Sequence, residues 1–577
     1  MILQSLYEYA DRKKTELPEY GFETVPINFL IVIREDGSFA DLLSTEQKNE
    51  KGKMQAHAYE SLPMRVHRTG KTQVASLLFD NAQYVLLDKK KRDAFIERIE
   101  KLPDEVKDEK AIKAVISFYR ENKANGFEKV SAAALWKDFE QSKGYVSFKL
   151  EGGDKIVPQY ECVKKYWRAE TQKLIDGTES KDAKTSVCLI TGEKSVIARL
   201  HSLVTIASGN PTGSSLVSFQ KNSGYDSYGK EQAYNAPVSV KGEFAYTKAL
   251  KYLLKSKSNS VRIGGDTIIF WAEKENKEYN LETAFSIFFS DYDNPDRNVS
   301  EIKNLFTAIY TGKFETIDSN FYALGLAPNA ARISVRFFER EKVSVFANRI
   351  KQHFDDFEII HSANEPDYVS LYKIISALAL ENKTENAPPN LAGQTVHAVL
   401  KALPYPVALQ QQCIRRIRAE RKVTRVRAAI LKAYINRHNR YNKIDKEVKV
   451  SLDKSNTNSG YVLGRLFAVL EKVQQETHPN LNATITDRFY GAASTNPVAV
   501  FSQLLKLHNH HSASYENLGL KAVREKEVGE IMNLIQAENG FPTHLSLNDQ
   551  SMFALGYYHE KENFYKTVNK TEGEKDE

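Results

Sequence analysis

The chain has 577 residues, of which 41% are hydrophobic and 27% charged, with a net charge of +7. One hydrophobic core rarely serves more than ~250–300 residues, so several domains are expected, and the balance excludes a bulk-disordered or fibrous chain. The mild basic excess points only weakly to a polyanionic partner, and no run approaches the ~18 apolar residues of a membrane span.

Cys162, Cys188 and Cys413 are the only cysteines, and their spacing fits neither a zinc site nor a disulfide framework. The opening residues MILQSLYEYADRKK lack the apolar stretch of a secretion signal. A soluble cytoplasmic protein without membrane contact, metal or cofactor is expected.

Along the chain, Ile2, Leu3, Leu6, Tyr7 and Ala10 share one side of a short helix. Residues 27–33 read as a buried strand, and 39–43 return antiparallel across Glu35-Asp36-Gly37-Ser38, because Gly accepts the positive φ of a tight turn. The polar segment 44–60 reads as a loop. Helical spacing dominates 89–142 with a break at Pro103, and strand signals return at 145–150 and 187–190. The stretch 207–242, rich in Gly, Ser, Asn and Pro, reads as a long functional loop. A hairpin is expected where 261–263 and 267–271 flank Gly264-Gly265-Asp266, and 333–338 reads as a strand after Pro328-Asn329. Past about residue 365 helical spacing takes over, with a breaker at 386–393. The expected fold class is α+β. A mixed part with antiparallel strands and helices covers 1–365, an all-α helical bundle covers 366–565, and a disordered charged tail covers 566–577.

Catalytic motifs are weak. Thr69-Gly70-Lys71-Thr72 looks like the end of a phosphate-binding loop, but Arg65 stands where its first glycine is needed. One glycine cannot shape the nest of backbone N–H groups that cradles phosphates. Thr191-Gly192-Glu193-Lys194-Ser195 fails similarly, and no Gly-x-Ser-x-Gly elbow occurs. His508, His510 and His511 cluster and, with distant acids, would suit a metal-dependent nuclease. His353 with Asp355 and Asp356 matches no hydrolase spacing. No catalytic residue is assigned.

The nucleic-acid signal is denser. Residues 413–443 hold Arg415, Arg416, Arg418, Arg421, Lys422, Arg425, Arg427, Lys432, Arg437, Arg440 and Lys443 against the lone acid Glu420. Apolar spacing at Ile414, Ile417, Val426, Ile430 and Tyr434 predicts a helix with one buried stripe and guanidinium groups turned outward. Arg415, Arg418, Lys422 and Arg425 recur at steps of three or four and so share a face able to track a phosphate backbone. Like charges would repel on a bare helix, which favours a polyanion contact. A second stretch, 218–235, interleaves Gly, Asn, Gln, Lys and Tyr, whose amides can bond bases and whose rings can stack on them. A third, 65–81, sets Arg65, Arg68 and Lys71 before an apolar run ending in Asp80-Asn81.

Several of these stretches carry a family resemblance. LVSFQKNSGYDSYGKEQAYNAPVS at 216–239, LLFDNAQYVL at 77–86 and VCLITGEKSVIARLH at 187–201 resemble the Csd family, the large subunit of the type I-C CRISPR Cascade surveillance complex. GGDTIIFWAE at 264–273, FYALGLAPNAARISVRFF at 321–338 and GYVLGRLFAVLEKVQ at 460–474 look like it too, in the same order. The resemblance implies a non-catalytic DNA-binding subunit of a crRNA-guided effector. Such a subunit recognises the protospacer-adjacent motif on duplex DNA, promotes strand opening and holds the displaced single strand for a recruited helicase–nuclease, while guide RNA reads the target by pairing.

Implied partners are crRNA, the target duplex and its displaced strand, repeated backbone subunits, a subunit that binds the crRNA end, small helical subunits and the helicase–nuclease. The family pattern places motif reading in the N-terminal part. Lys71, Thr72, Gln73 and Asn81 are the expected readers, with Lys221, Asn222 and Gln232 as second choice, since amides and Lys suit base-edge acceptors. The single strand is expected on Arg415, Arg418, Lys422 and Arg425. The family also makes its helical C-terminal part separately as a small subunit. With no Met between Met64 and Met532, that start would need a non-AUG codon. A structural RNA-binding assembly protein is the other reading.

Overall fold

The computed structural model describes residues 1–48, 52–66, 73–177, 183–225, 228–275, 282, 285–286, 288, 307, 311, 319–362, 365–366, 368–535 and 540–573. They form two compact units: residues 1–202 with 217–252, and residues 203–216 with 253–577.

The first unit opens with α1 (Ile2–Arg12) and is built on β1 (Phe22–Ile33). Phe29–Ile33 pairs antiparallel with β2 (Phe39–Ser44) across the expected turn. There Gly37 has a φ of 91°, and a Cβ on it would stand 2.5 Å from the Ser117 side chain, so no other residue fits. Phe22–Ile27 pairs antiparallel with β3 (His57–Pro63). Its first four residues fall in the segment 44–60 expected as a loop. Only Leu62 and Pro63 of it are buried, so no apolar alternation announces it, and the ladder to β1 holds it instead.

After β4 (Phe79–Asn81) come α2 (Lys89–Glu100) and α3 (Lys110–Asn125), separated at Pro103 as expected. β5 (Tyr145–Leu150) then pairs with β1 in parallel, because the intervening helices supply the crossover that parallel strands need. A register shift between Ile27 and Phe29 sends Phe29, Ile31 and Ile33 into one core with Phe95, Phe118 and Phe148. Val25, Ile27 and Leu30 join a smaller cluster with Phe79 and Ile156. α4 (Glu161–Asp176), a small hairpin and α5 (Val240–Lys255) follow.

The second unit carries a four-stranded antiparallel sheet in sequential order: β6 (Ser260–Ile263), β7 (Asp266–Ala272), β8 (Asn320–Asn329) and β9 (Arg332–Lys342). Gly264, with a φ of 60°, makes the predicted β6–β7 turn. Then come α6 (Val343–Phe357), α7 (Leu371–Leu378), α8 (Leu391–Lys401), α9 (Val407–Glu420) and α10 (Arg425–Tyr441). α11 (Ser459–Thr477), α12 (Ile485–Ala493), α13 (Pro497–Ala513), α14 (Leu518–Met532) and α15 (Leu547–Gly573) complete it.

α11 and α15 touch backbone to backbone. A Cβ on Gly460, Gly464 or Gly556 would stand 2.0–2.1 Å from a carbonyl oxygen of the facing helix. The fold class is α+β, with strands and helices mixed in the N-terminal part and helices dominating the C-terminal region. The change in local pattern near residue 365 falls within the second unit, where sheet and helices share one hydrophobic cluster. The stretch expected as a tail from 566 is helical to Gly573, and residues 574–577 lie outside the described residues. Among the described residues, no helix is long and apolar enough to cross a membrane.

Candidate nucleic-acid interface

Lys71 and Thr72 lie outside the described residues, as does the rest of the Thr69–Thr72 motif. Gln73 is exposed. Asn81 closes β4 half-buried, and its Oδ1 accepts the Tyr84 N–H at 3.2 Å, which ties it to the turn that leaves the strand.

The second set gathers around a residue that sequence reading passed over, Arg199. The Lys221 ammonium sits 2.9 Å from the Glu231 carboxylate, and Arg199 sits 3.5 Å from the same group. Arg199 also donates to Gln232 Oε1. Hydrogen bonding from Lys221, with the charge of Arg199 nearby, holds the Glu231 carboxyl below its ordinary range. Asn222 adopts a left-handed φ of 59°, and nearby Tyr228 is 90% exposed. Lys221 and Gln232 thus share one polar cluster, whereas Asn81 belongs to the sheet.

The basic run 413–443 differs from its expected form. It is two helices, not one. Arg421 ends α9 in a left-handed conformation with a φ of 54°, and Thr424 caps α10 by accepting the Arg427 N–H at 3.4 Å. The break separates the charges: exposed Lys422 lies in the connector between the helices, and Arg425 does not share the face of Arg415 and Arg418. Arg425 is 7% exposed and donates to the Pro366 carbonyl at 2.6 Å. Arg427 is 2% exposed, pairs with Glu420 at 2.5 Å and donates to the Ala377 carbonyl. Buried Arg437 reaches Asp356 at 3.4 Å and the Tyr405 hydroxyl at 3.0 Å, and donates to carbonyls of Ala398 and Leu403. Lys432 is buried against the Asp356 carbonyl oxygen at 3.2 Å. Burial works against the Glu420 charge, but Arg427 and Arg416 hold its carboxyl below the ordinary range. Repulsion within the run is therefore relieved internally by carboxylates and carbonyls, not only by a ligand.

The exposed half builds a groove. α9 buries Leu409, Cys413 and Ile417 and turns Gln411, Arg415 and Arg418 outward. Arg421 from the helix end, Arg488 from α12 and Gln550 from α15 complete a cavity of about 650 Å³ with those side chains. Asp487 is the acidic residue in its wall, and its carboxylate already accepts the Thr484 N–H at 2.9 Å in a capping box. Four guanidinium groups thus face one engaged carboxylate, an arrangement fitted to phosphodiesters. Arg488 was not legible as a site residue, because it lies far from the run in sequence and stands beside Asp487 with no other basic residue around it.

The histidine cluster divides. His508 is buried within α13, and burial lowers its pKa below the ordinary imidazole value. His511 lies against His478, with ring centroids 5.1 Å apart. Among the described residues, no group of three or more His, Cys, Asp or Glu is placed to hold a metal ion. His353 is wholly buried and bonded to the Tyr405 hydroxyl at 2.7 Å, a core position.

A family model described as CRISPR-associated protein (Cas_Csd1) matches residues 3–565. No curated protein matches the chain.

Proposed function

Because the chain belongs to the CRISPR-associated Cas_Csd1 family, we propose that it is the non-catalytic, DNA-binding large subunit of a type I-C crRNA-guided effector in the cytoplasm. In this reading the first unit recognises the protospacer-adjacent motif on duplex DNA and promotes strand opening. Lys71, Thr72, Gln73 and Asn81 supply the polar groups, with the cluster of Lys221, Asn222 and Gln232 as the second choice. The second unit holds the displaced strand for a recruited helicase–nuclease. Backbone subunits, the crRNA-end-binding subunit and small helical subunits complete the assembly.

The observation that carries the strand-holding role is the groove of Arg415, Arg418, Arg421 and Arg488 against the single acid Asp487. Each phosphate neutralised there releases counterions, so binding should weaken steeply with salt. Charge reversal at Arg415, Arg418 and Arg488 tests it. Affinity for single-stranded DNA should fall, and the salt slope should shrink by about 0.7 for each phosphate that is no longer neutralised. An unchanged slope would remove the groove from DNA binding. Crosslinks from this face to crRNA rather than to the displaced strand would instead favour an RNA-binding assembly role.

A further inference from the structure

Beside the arginine groove lies a second cavity of about 650 Å³, of a size suited to a nucleotide. Its walls have different chemistry. α10 contributes Tyr434 and His438, whose rings are parallel within 11° at a centroid distance of 6.1 Å. Four asparagines line it. Asn458 is engaged twice, its Nδ2 donating to Asp549 at 3.0 Å and its Oδ1 accepting the Tyr461 N–H at 3.1 Å, and the other three are each held by one side-chain hydrogen bond. Asn439 Nδ2 donates to the Lys446 carbonyl at 2.8 Å. Asn456 Oδ1 accepts the Asn458 N–H at 2.9 Å, and Asn548 Oδ1 accepts from Gln410 at 2.8 Å. Among the described residues, the side-chain carbonyl of Asn439 and the amino groups of Asn456 and Asn548 make no further hydrogen bond.

Charge separates the two cavities. The lining of this cup includes the carboxylates of Glu447 and Asp549 against the single ammonium of Lys446, so a phosphate is disfavoured. A neutral heterocycle is favoured instead, since it can lie on the half-buried His438 ring, which buried Tyr434 backs, and bond the amides. Two amide donors and one acceptor complement the pairing edge of thymine or cytosine, each of which offers two acceptors and one donor. Guanine offers the reverse count.

The two cavities also share a wall. Leu547 and Gln550 of α15 line the groove, while Asn548, Asp549 and Met552 line the cup. Gln410 of α9 locks the junction by donating to both Asn548 and Ser551, at 2.8 and 3.0 Å. One helix width, ~10–12 Å with side chains, separates phosphate-fitted from base-fitted chemistry.

We propose that this cup takes an unstacked pyrimidine base from the single strand whose phosphates lie in the arginine groove. This assignment rests on the strand-holding reading. It makes the surface selective for bases where the groove alone is blind to sequence. The test uses the purified full chain and fluorescence anisotropy with oligo(dT), oligo(dC), oligo(dA) and an abasic strand of equal length. The pyrimidine strands should bind about tenfold more tightly than the abasic one, the scale of one base–aromatic contact. His438→Ala should erase that margin, and so should Thr457→Trp, which fills the exposed rim. Both variants should keep the wild-type affinity for the abasic strand and the wild-type melting temperature. Equal affinity for all four strands in the wild type would overturn the proposal, as would a preference for oligo(U) over oligo(dT). Failure of the strand-holding reading would show differently: reversing Arg415 and Arg418 would then leave affinity for the abasic strand unchanged.

Discussion

The two halves of the basic run 413–443 have similar composition and opposite uses. Arg415, Arg418, Arg421 and Lys422 face solvent, whereas Arg425, Arg427, Lys432 and Arg437 are buried. The difference comes from what surrounds each helix. α9 lies at the surface with one apolar stripe inward. α10 runs through the bundle past the ends of α7 and α8, whose last carbonyls have no partner within their own helices. Arg427 donates to the Ala377 carbonyl; Arg437 donates to the Leu403 carbonyl and adds a second donor to Ala398, which already accepts the Leu403 N–H at 2.9 Å. A dense run of arginines thus marks either a polyanion surface or a set of helix ends to be capped, and charge density alone does not separate them.

The largest test of that contrast is Asp356→Ala. Asp356 is 2% exposed and pairs with Arg437 and, at 2.7 Å, with Arg440. Removing it strands a buried guanidinium and should cost roughly 3–5 kcal/mol in denaturant unfolding. Below the melting transition, affinity for single-stranded DNA should hold. Weakened binding with unchanged stability would put the buried half on the binding surface.

Next in size is acid sensitivity. Burial, aided by the nearby Lys432 charge, pushes His559 down to about 4, and burial with Arg437 holds His353 well below its ordinary value. An unfolded chain takes up these protons below about pH 6.5, and the folded one does not. Stability should therefore be full above that pH and fall as pH drops toward 4. His559 alone contributes roughly 3 kcal/mol of loss by pH 4. In the first unit, burial pushes His201 down to about 4 as well. Hydrogen exchange at pH 5 should show the buried half of the run opening before the first unit, and the reverse order would break the link between buried cations and neutral histidines.

The smallest test sharpens the hinge between the halves. Arg421 holds a left-handed φ of 54°, where glycine is at ease. Arg421→Gly should raise stability by up to about 1 kcal/mol in thermal unfolding, while lowering the salt slope by the share of about one phosphate. Destabilisation would mean that the side chain, not the backbone turn, holds the two helices apart.

Legibility followed how local each signal was. The β1–β2 and β6–β7 hairpins could be read because Gly37 and Gly264 occupy positive φ between apolar runs. β3 could not, because an edge strand with polar faces carries no alternation. The run 413–443 reads as one helix because apolar spacing continues across Val423 and Thr424, and the cap at Thr424 is the cue that separates α9 from α10. Gly460 and Gly464 lie one turn apart on α11, but Gly556 is far from them in the chain, so only the contact of α11 with α15 shows why a side chain is excluded at all three.

From the sequence alone came the α+β class, the main hairpins, the helical C-terminal region and the family, since these depend on periodicity, turn chemistry and ordered motifs. The tertiary structure decided which arginines face solvent and which are buried against carbonyls and carboxylates, and it brought Arg488 beside Arg415. It also set the asparagines of three distant segments around one cup. Burial and convergence are properties of packing between elements: apolar spacing marks the stripe a helix buries, but no local pattern encodes which of its charged faces a neighbour will also cover.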